Sequence, residues 1–179
     1  MGVSIHYKTV NYITEIKSEP ISNIEIVNLF ESDNNAELNC EFVRVKESNS
    51  YNPIINLKIQ SDYSPTFKQS DIVNGIILVG YGEKFAMFDL NKNEKLTELH
   101  FDGYFSEFNV DGDDVFVASD CELINLTLDG KTKWRTENLG IDGVVIHEVS
   151  SLKINGSGEW DPPGGWEDFE IDRKTGKKN

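Results

Sequence analysis

The sequence predicts an all-β protein built from antiparallel sheets in repeated blade-like units, an incomplete propeller or a sandwich-like stack, with little or no helix. Three observations predict it. No segment sustains a helical period over ten or more residues. Short apolar runs alternate with polar turns rich in Gly, Asn and Asp along the chain. One pattern is also written twice at a fixed offset: Val79 matches Val117, Leu90 matches Leu128 and Lys95 matches Lys133, each 38 residues on and without a gap.

In chain order, residues 3–16 place Ile5, Tyr7, Val10, Tyr12 and Ile13 or Ile16 at near-strand spacing until Ser18-Glu19-Pro20 breaks the run, which reads as one or two strands and a turn. Residues 23–30 fit either period poorly; strand is the preferred reading and a single short helix the alternative. After the turn cluster Ser32-Asp33-Asn34-Asn35, Leu38, Cys40, Phe42 and Val43 or Val45 alternate with Asn39, Glu41, Arg44 and Lys46, a half-buried strand. Ile55, Leu57 and Ile59 share one face of the next, so the two strands form a hairpin. Residues 1–60 thus make an N-terminal strand layer. Residues 60–70 have little periodicity and read as a connector to a repeat region over residues 71–179, within one domain.

In the first copy of the repeat, Ile76-Ile77-Leu78-Val79 leads through Gly80-Tyr81-Gly82-Glu83 to Phe85-Ala86-Met87-Phe88-Asp89-Leu90 and the polar run Asn91-Lys92-Asn93-Glu94-Lys95. In the second, Val115-Phe116-Val117-Ala118 leads through Ser119-Asp120-Cys121-Glu122 to Leu123-Ile124-Asn125-Leu126-Thr127-Leu128, Asp129-Gly130 and Trp134. A third, degenerate copy runs from Leu152-Lys153-Ile154 to Phe169-Glu170-Ile171-Asp172 and closes on Lys174-Thr175-Gly176-Lys177. Across residues 75–177 these units resemble the quinoprotein-type (PQQ-like) propeller repeat, with its strand, its hairpin of the "L-D-x-x-T-G-K" kind and a Trp soon after. The resemblance implies blade-like sheets. It says nothing about quinone binding, and no cofactor is expected. The hairpins at residues 91–94 and Asp129-Gly130 are expected at equivalent places, with residues 160–166 an insertion into the third copy.

Charge is the strongest global property: 31 acidic against 17 basic residues, net −14. Residues 1–100 hold 14 acids and 9 bases, residues 101–172 hold 17 acids and 4 bases, and the last seven hold 4 bases. A field of this sign repels phosphate backbones and anionic lipid, so nucleic-acid and membrane partners are not expected. The sequence also starts without the basic and apolar regions of a signal peptide, and no apolar run approaches a membrane span, which together predict a cytoplasmic protein. Cys40 and Cys121 each sit in apolar alternation and are expected as free thiols.

Motifs for chemistry are lacking. The run Asn109-Val110-Asp111-Gly112-Asp113-Asp114 has neither the glycine position nor the distal glutamate of a calcium loop and reads as a hairpin turn. His6, His100 and His147 are too scattered for a zinc motif, and there is no nucleophile elbow or glycine-rich phosphate loop. The chain is therefore expected to be a binding protein and not an enzyme. The most distinctive stretch is Gly158-Glu159-Trp160-Asp161-Pro162-Pro163-Gly164-Gly165-Trp166-Glu167-Asp168-Phe169, two tryptophans bracketing a Pro-Gly reversal among acids. A partly exposed Trp beside carboxylates is an interface anchor for a basic protein; the competing reading has one or both tryptophans plugging the end of the sheets. In size and charge the chain resembles, by type, the immunity proteins that bacteria encode beside secreted nuclease toxins. That resemblance implies a basic protein partner, such as a toxin domain, held by Asp111, Asp113, Asp114, Asp120, Glu122, Trp160, Asp161, Trp166, Glu167 and Asp168. A carbohydrate- or peptide-binding β module, or a plain scaffold, is the alternative.

Overall fold

The computed structural model describes residues 12–30, 39–48, 50, 53–160 and 164–178. His6, Leu38 and Asp161 lie outside them, as do the expectations resting on those residues. Among the described residues, fifteen strands form four sheets. The first, in the order β1-β3-β4-β2, contains β1 (Tyr12–Lys17), β2 (Ile26–Asn28), β3 (Cys40–Glu47) and β4 (Pro53–Gln60). The second runs β5 (Lys68–Val73), β6 (Ile76–Tyr81), β7 (Lys84–Asp89) and β8 (Glu94–His100). The third runs β9 (Phe105–Asp111), β10 (Asp114–Ser119), β11 (Leu123–Thr127) and β12 (Thr132–Thr136). The fourth has β13 (Val144–Val149), β14 (Lys153–Trp160) and β15 (Gly165–Asp172), and a lone bridge from Ile171 to Lys178 stands where the earlier sheets have an outer strand.

The sheets stack as successive blades, with the leading strands β1, β5, β9 and β13 side by side. Three apolar seams hold the stack. Ile77, Val79, Ala86 and Phe88 pack back onto Val43, Val45, Leu57 and Ile59 of the first sheet. Leu78, Phe85 and Met87 pack forward onto Phe105, Val115, Val117 and Ile124. Phe116, Ala118, Leu123 and Trp134 pack onto Val144, Ile154, Phe169 and Ile171. A middle strand of a blade is covered on both faces, so β6, β7, β10 and β11 are apolar almost without interruption. The outer β8 and β12 keep an exposed face and alternate.

Backbone hydrogen bonds repeat with the sequence. Leu90 N–H donates to Gly75 O, Leu128 N–H to Asp113 O and Arg173 N–H to Leu152 O, at 3.0, 3.2 and 2.9 Å. Phe105 N–H to Gly82 O and Gly143 N–H to Asp120 O are a second equivalent set, both 2.8 Å. The two polar hairpins predicted to correspond do correspond. Side chains tie neighbouring blades in the same rhythm: the Gln69 amide brackets the Phe108 peptide through two 3.0 Å bonds, and Glu107, one blade on, accepts from Ile146 N–H.

Three features differ from expectation. Residues 68–70, placed in the connector, begin strand β5; the strand closes on β6 through Asn74-Gly75, both at positive φ (54° and 80°), the turn that two-residue hairpins favour. Strand β2 pairs parallel to β4, so the first sheet is mixed, with the buried Asn56 amide holding the Ile21 peptide from both sides. Trp160 and Trp166, expected in an insertion, both lie on paired strands: β14 and β15 are eight residues long and stay paired out to Trp160 opposite Gly165.

Candidate functional site

Antiparallel strands deliver every second connection to the same rim. The upper rim carries the β6–β7 and β10–β11 turns, the β14–β15 hairpin and the links 101–104 and 137–143 between blades. The lower rim carries the β5–β6, β9–β10, β11–β12 and β13–β14 turns and residues 173–177. This division sorts the predicted contact residues. Asp111, Asp113 and Asp114 are on the lower rim; Asp120, Glu122, Trp160, Trp166 and Glu167 are on the upper, with Asp168 next below on β15.

The lower group is engaged within the chain. Arg173 donates to Asp111 and, at 2.8 Å, to Asp114, which also accepts from Lys133. Burial would raise the Asp114 carboxyl, but these cationic donors outweigh it and hold its pKa below the ordinary carboxylate value. Asp113 is exposed in the turn.

The upper rim has the opposite electrostatics. Asp102, Asp120, Glu122, Glu137, Asp142, Glu159 and Glu167 lie there, and among the described residues of the last two blades Arg135 is the basic residue that joins them, 2.9 Å from Glu122. Burial raises the Glu122 carboxyl, and Glu137, Asp120 and Asp102 push the same way against Arg135. Burial and then Asp142, Asp120 and Glu159 raise the Tyr104 phenol; burial, Asp120 and Glu122 raise the Cys121 thiol. Cys40 and Cys121, both half-buried, are not joined in a disulfide.

The two tryptophans differ in exposure. Trp160 is half-buried, with its indole N–H unpartnered among the described residues, whereas Trp166 is 53% exposed. Trp166 and Glu159 face each other across β14–β15 and reach over Gly143 toward Tyr104. A cleft of about 230 Å³ opens there, walled by Phe67, Tyr104, Val145 and Trp166 and edged by Glu107, Asp142 and Glu159. The rings of Phe67 and Tyr104 lie 5.7 Å apart at 33°, and the Tyr104 hydroxyl donates to the Asp142 carbonyl. Sequence reasoning did not single out Phe67, Tyr104, Glu107 or Asp142. The repeat contained the signal for two of them: the links 101–104 and 139–142 stand 38 residues apart and so belong to the rim that bears the Trp hairpin.

Compared by sequence, the chain matches no family model and no curated protein. By shape it is similar to the WD40 domain of Toxoplasma gondii coronin, with a TM-score of 0.54 and 13% identity over 76% of this chain and 40% of that one. The WD40 domain of Neurospora crassa Pan2 (0.49, 18%, 77% and 45%) and a europium-containing methanol dehydrogenase (0.47, 14%, 65% and 25%) are further neighbours. The chain spans less than half the length of each of these three structures. The coronin likeness concerns fold alone, and with the stacked sheets it identifies the architecture as a propeller-like array of β blades.

Proposed function

We propose that the chain is a non-catalytic interaction module that docks a basic protein on its upper rim, and that it serves as an immunity or inhibitor protein covering the working surface of a basic toxin such as a nuclease. The observation that carries this reading is the concentration of carboxylates on the upper rim beside exposed Trp166, with Arg135 as their basic neighbour in the last two blades. A rim of one sign raises the encounter rate with an oppositely charged partner, and an exposed Trp contributes the large apolar contact that charge alone lacks. The propeller-like fold supports the reading in so far as its rigid strands fix rim loops in space. The test is co-expression with the product of the adjacent gene, followed by association kinetics at two salt concentrations. The expected result is a complex whose association slows at least tenfold between about 50 mM and about 500 mM salt. Absence of a complex, or association indifferent to salt, overturns it.

A further inference from the structure

The cleft between Tyr104 and Trp166 has a size and a chemistry that select one kind of guest. Small-molecule sites run to roughly 300–1,000 Å³. At about 230 Å³ this cleft is matched to a single long side chain. Its walls are ring faces and the Val145 side chain, which suit the methylene stem of such a residue. Its edge carries Asp142 and Glu159, for which no basic side chain among the described residues supplies a hydrogen bond or ion pair; Glu107 uses one oxygen on Ile146 N–H. A neutral apolar guest would desolvate these carboxylates without compensation, and an anionic one would be repelled.

We infer that this cleft is an anchor site for one cationic side chain, an arginine guanidinium or lysine ammonium, presented by a protein partner. The cation lies against the aromatic faces, within the roughly 6 Å at which a ring quadrupole attracts it, and its N–H groups donate to Asp142 and Glu159. Gly143 keeps the floor open: a Cβ there would stand 3.4 Å from the Trp166 ring and 3.5 Å from the Tyr104 hydroxyl. The Tyr104 hydroxyl donates to the Asp142 carbonyl, which ties the ring to the 137–143 link. The site rests on the docking reading above and adds to it the specific residue type that the partner must insert.

The test uses capped glycine pentapeptides with arginine, lysine or norleucine at the centre, titrated into the full ¹⁵N-labelled chain while the backbone N–H resonance of Gly143, which lines the cleft and is kept in every variant, is followed. Arginine or lysine peptide should shift that resonance saturably in the millimolar range, about −4 kcal/mol, and norleucine peptide should not. Glu159→Gln should weaken the response about fivefold and Trp166→Leu should abolish it, with unfolding midpoints unchanged because both side chains are at least partly exposed. Phe67→Leu, on the opposite wall, gives a second variant that leaves the hairpin intact. An equal response to norleucine peptide, a response to neutral oligosaccharide in place of basic peptide, or no response to any peptide overturns the inference. The two proposals fail separately. A salt-sensitive complex with the basic partner that Trp166→Leu leaves unchanged in dissociation rate sinks the anchor site and spares the rim; a chain that binds the arginine peptide but no basic protein sinks the docking role and spares the site.

Discussion

The two rims are made from similar residues and behave in opposite ways. On the lower rim, Arg173 lies between Asp111 and Asp114 with its guanidinium 5.4 Å from the centroid of Phe116, and Lys133 adds a further donor. Backbone bonding makes Arg173 the counterpart of Leu128 and Leu90, and the repeat offset makes Asp114 the counterpart of Ile76. Where Ile76 and Leu128 pack against one apolar cluster between the second and third sheets, Asp114 and Arg173 form an ionic clasp fastening the fourth sheet to the third. On the upper rim the carboxylates gather with Arg135 as their basic neighbour in the last two blades. An aspartate is therefore held by Arg173 and Lys133 at one end of β10 and stands among other carboxylates at the other, and only its neighbours distinguish the cases.

The largest effect should come from breaking the clasp. Arg173→Leu leaves Asp114, whose side chain is only 16% exposed, without its guanidinium, and the loss should be about 2–3 kcal/mol in urea unfolding. Adding Asp114→Ile restores the apolar pairing of the preceding seam and should recover most of that loss, because a well-packed hydrophobic pair commonly replaces a half-buried ion pair at no net cost. A double variant no more stable than Arg173→Leu alone would show that the clasp supplies something that packing does not. The same contrast sets the response to pH. The folded-state pKa of Asp114 is depressed, so its contribution is present above the unfolded value and fades as pH falls through the folded one. That of Glu122 is raised, so its contribution is present below the unfolded value and is lost as pH rises through the folded one. At neutral pH Glu122 thus opposes folding. Glu122→Gln should raise the melting temperature there by about 1–3 °C and flatten the dependence between pH 7 and about pH 5. An unchanged melting temperature and slope would place the cost of the upper-rim field elsewhere.

How legible this was in the sequence depends on the layer. The middle strands of the second and third blades announce themselves because burial on both faces makes them continuously apolar, and they recur at the 38-residue offset. Strand β5 was obscured because Lys68, Gln69, Ser70 and Asp71 are polar, and Gln69 spends its amide on the next blade; the Asn74-Gly75 turn was the better marker. The parallel pairing of β2 leaves no local signature in three residues. For the site, Trp166 and its acidic hairpin stood out by composition. Asp111, Asp113 and Asp114 were grouped with Asp120 and Glu122 because they are close in sequence, yet the six-residue strand β10 carries the chain about 20 Å from one rim to the other. Phe67, Tyr104 and Glu159 meet only through tertiary structure, since 92 residues separate the first from the last.

The smallest expected effect on stability sharpens the comparison most. Asp142 is exposed; its N–H donates to Glu159 O, its carbonyl accepts from Tyr104, and its carboxylate stands close enough to raise that phenol. Asp142→Asn keeps both backbone groups and removes one charge, so unfolding should change by no more than about 0.5 kcal/mol. The lower rim allows no such neutral change at Asp114, where removing the charge also removes the acceptor for Lys133 and Arg173. For a partner steered by the upper-rim field, the same Asp142→Asn should slow association several-fold at low salt, and the difference from wild type should vanish at high salt. Combining it with Glu159→Gln should deepen the kinetic effect while the unfolding midpoint stays put, because neither carboxylate pairs with a basic side chain among the described residues. A midpoint that falls with each neutralisation would instead assign these acids to the fold, and would make the upper rim a second version of the lower one.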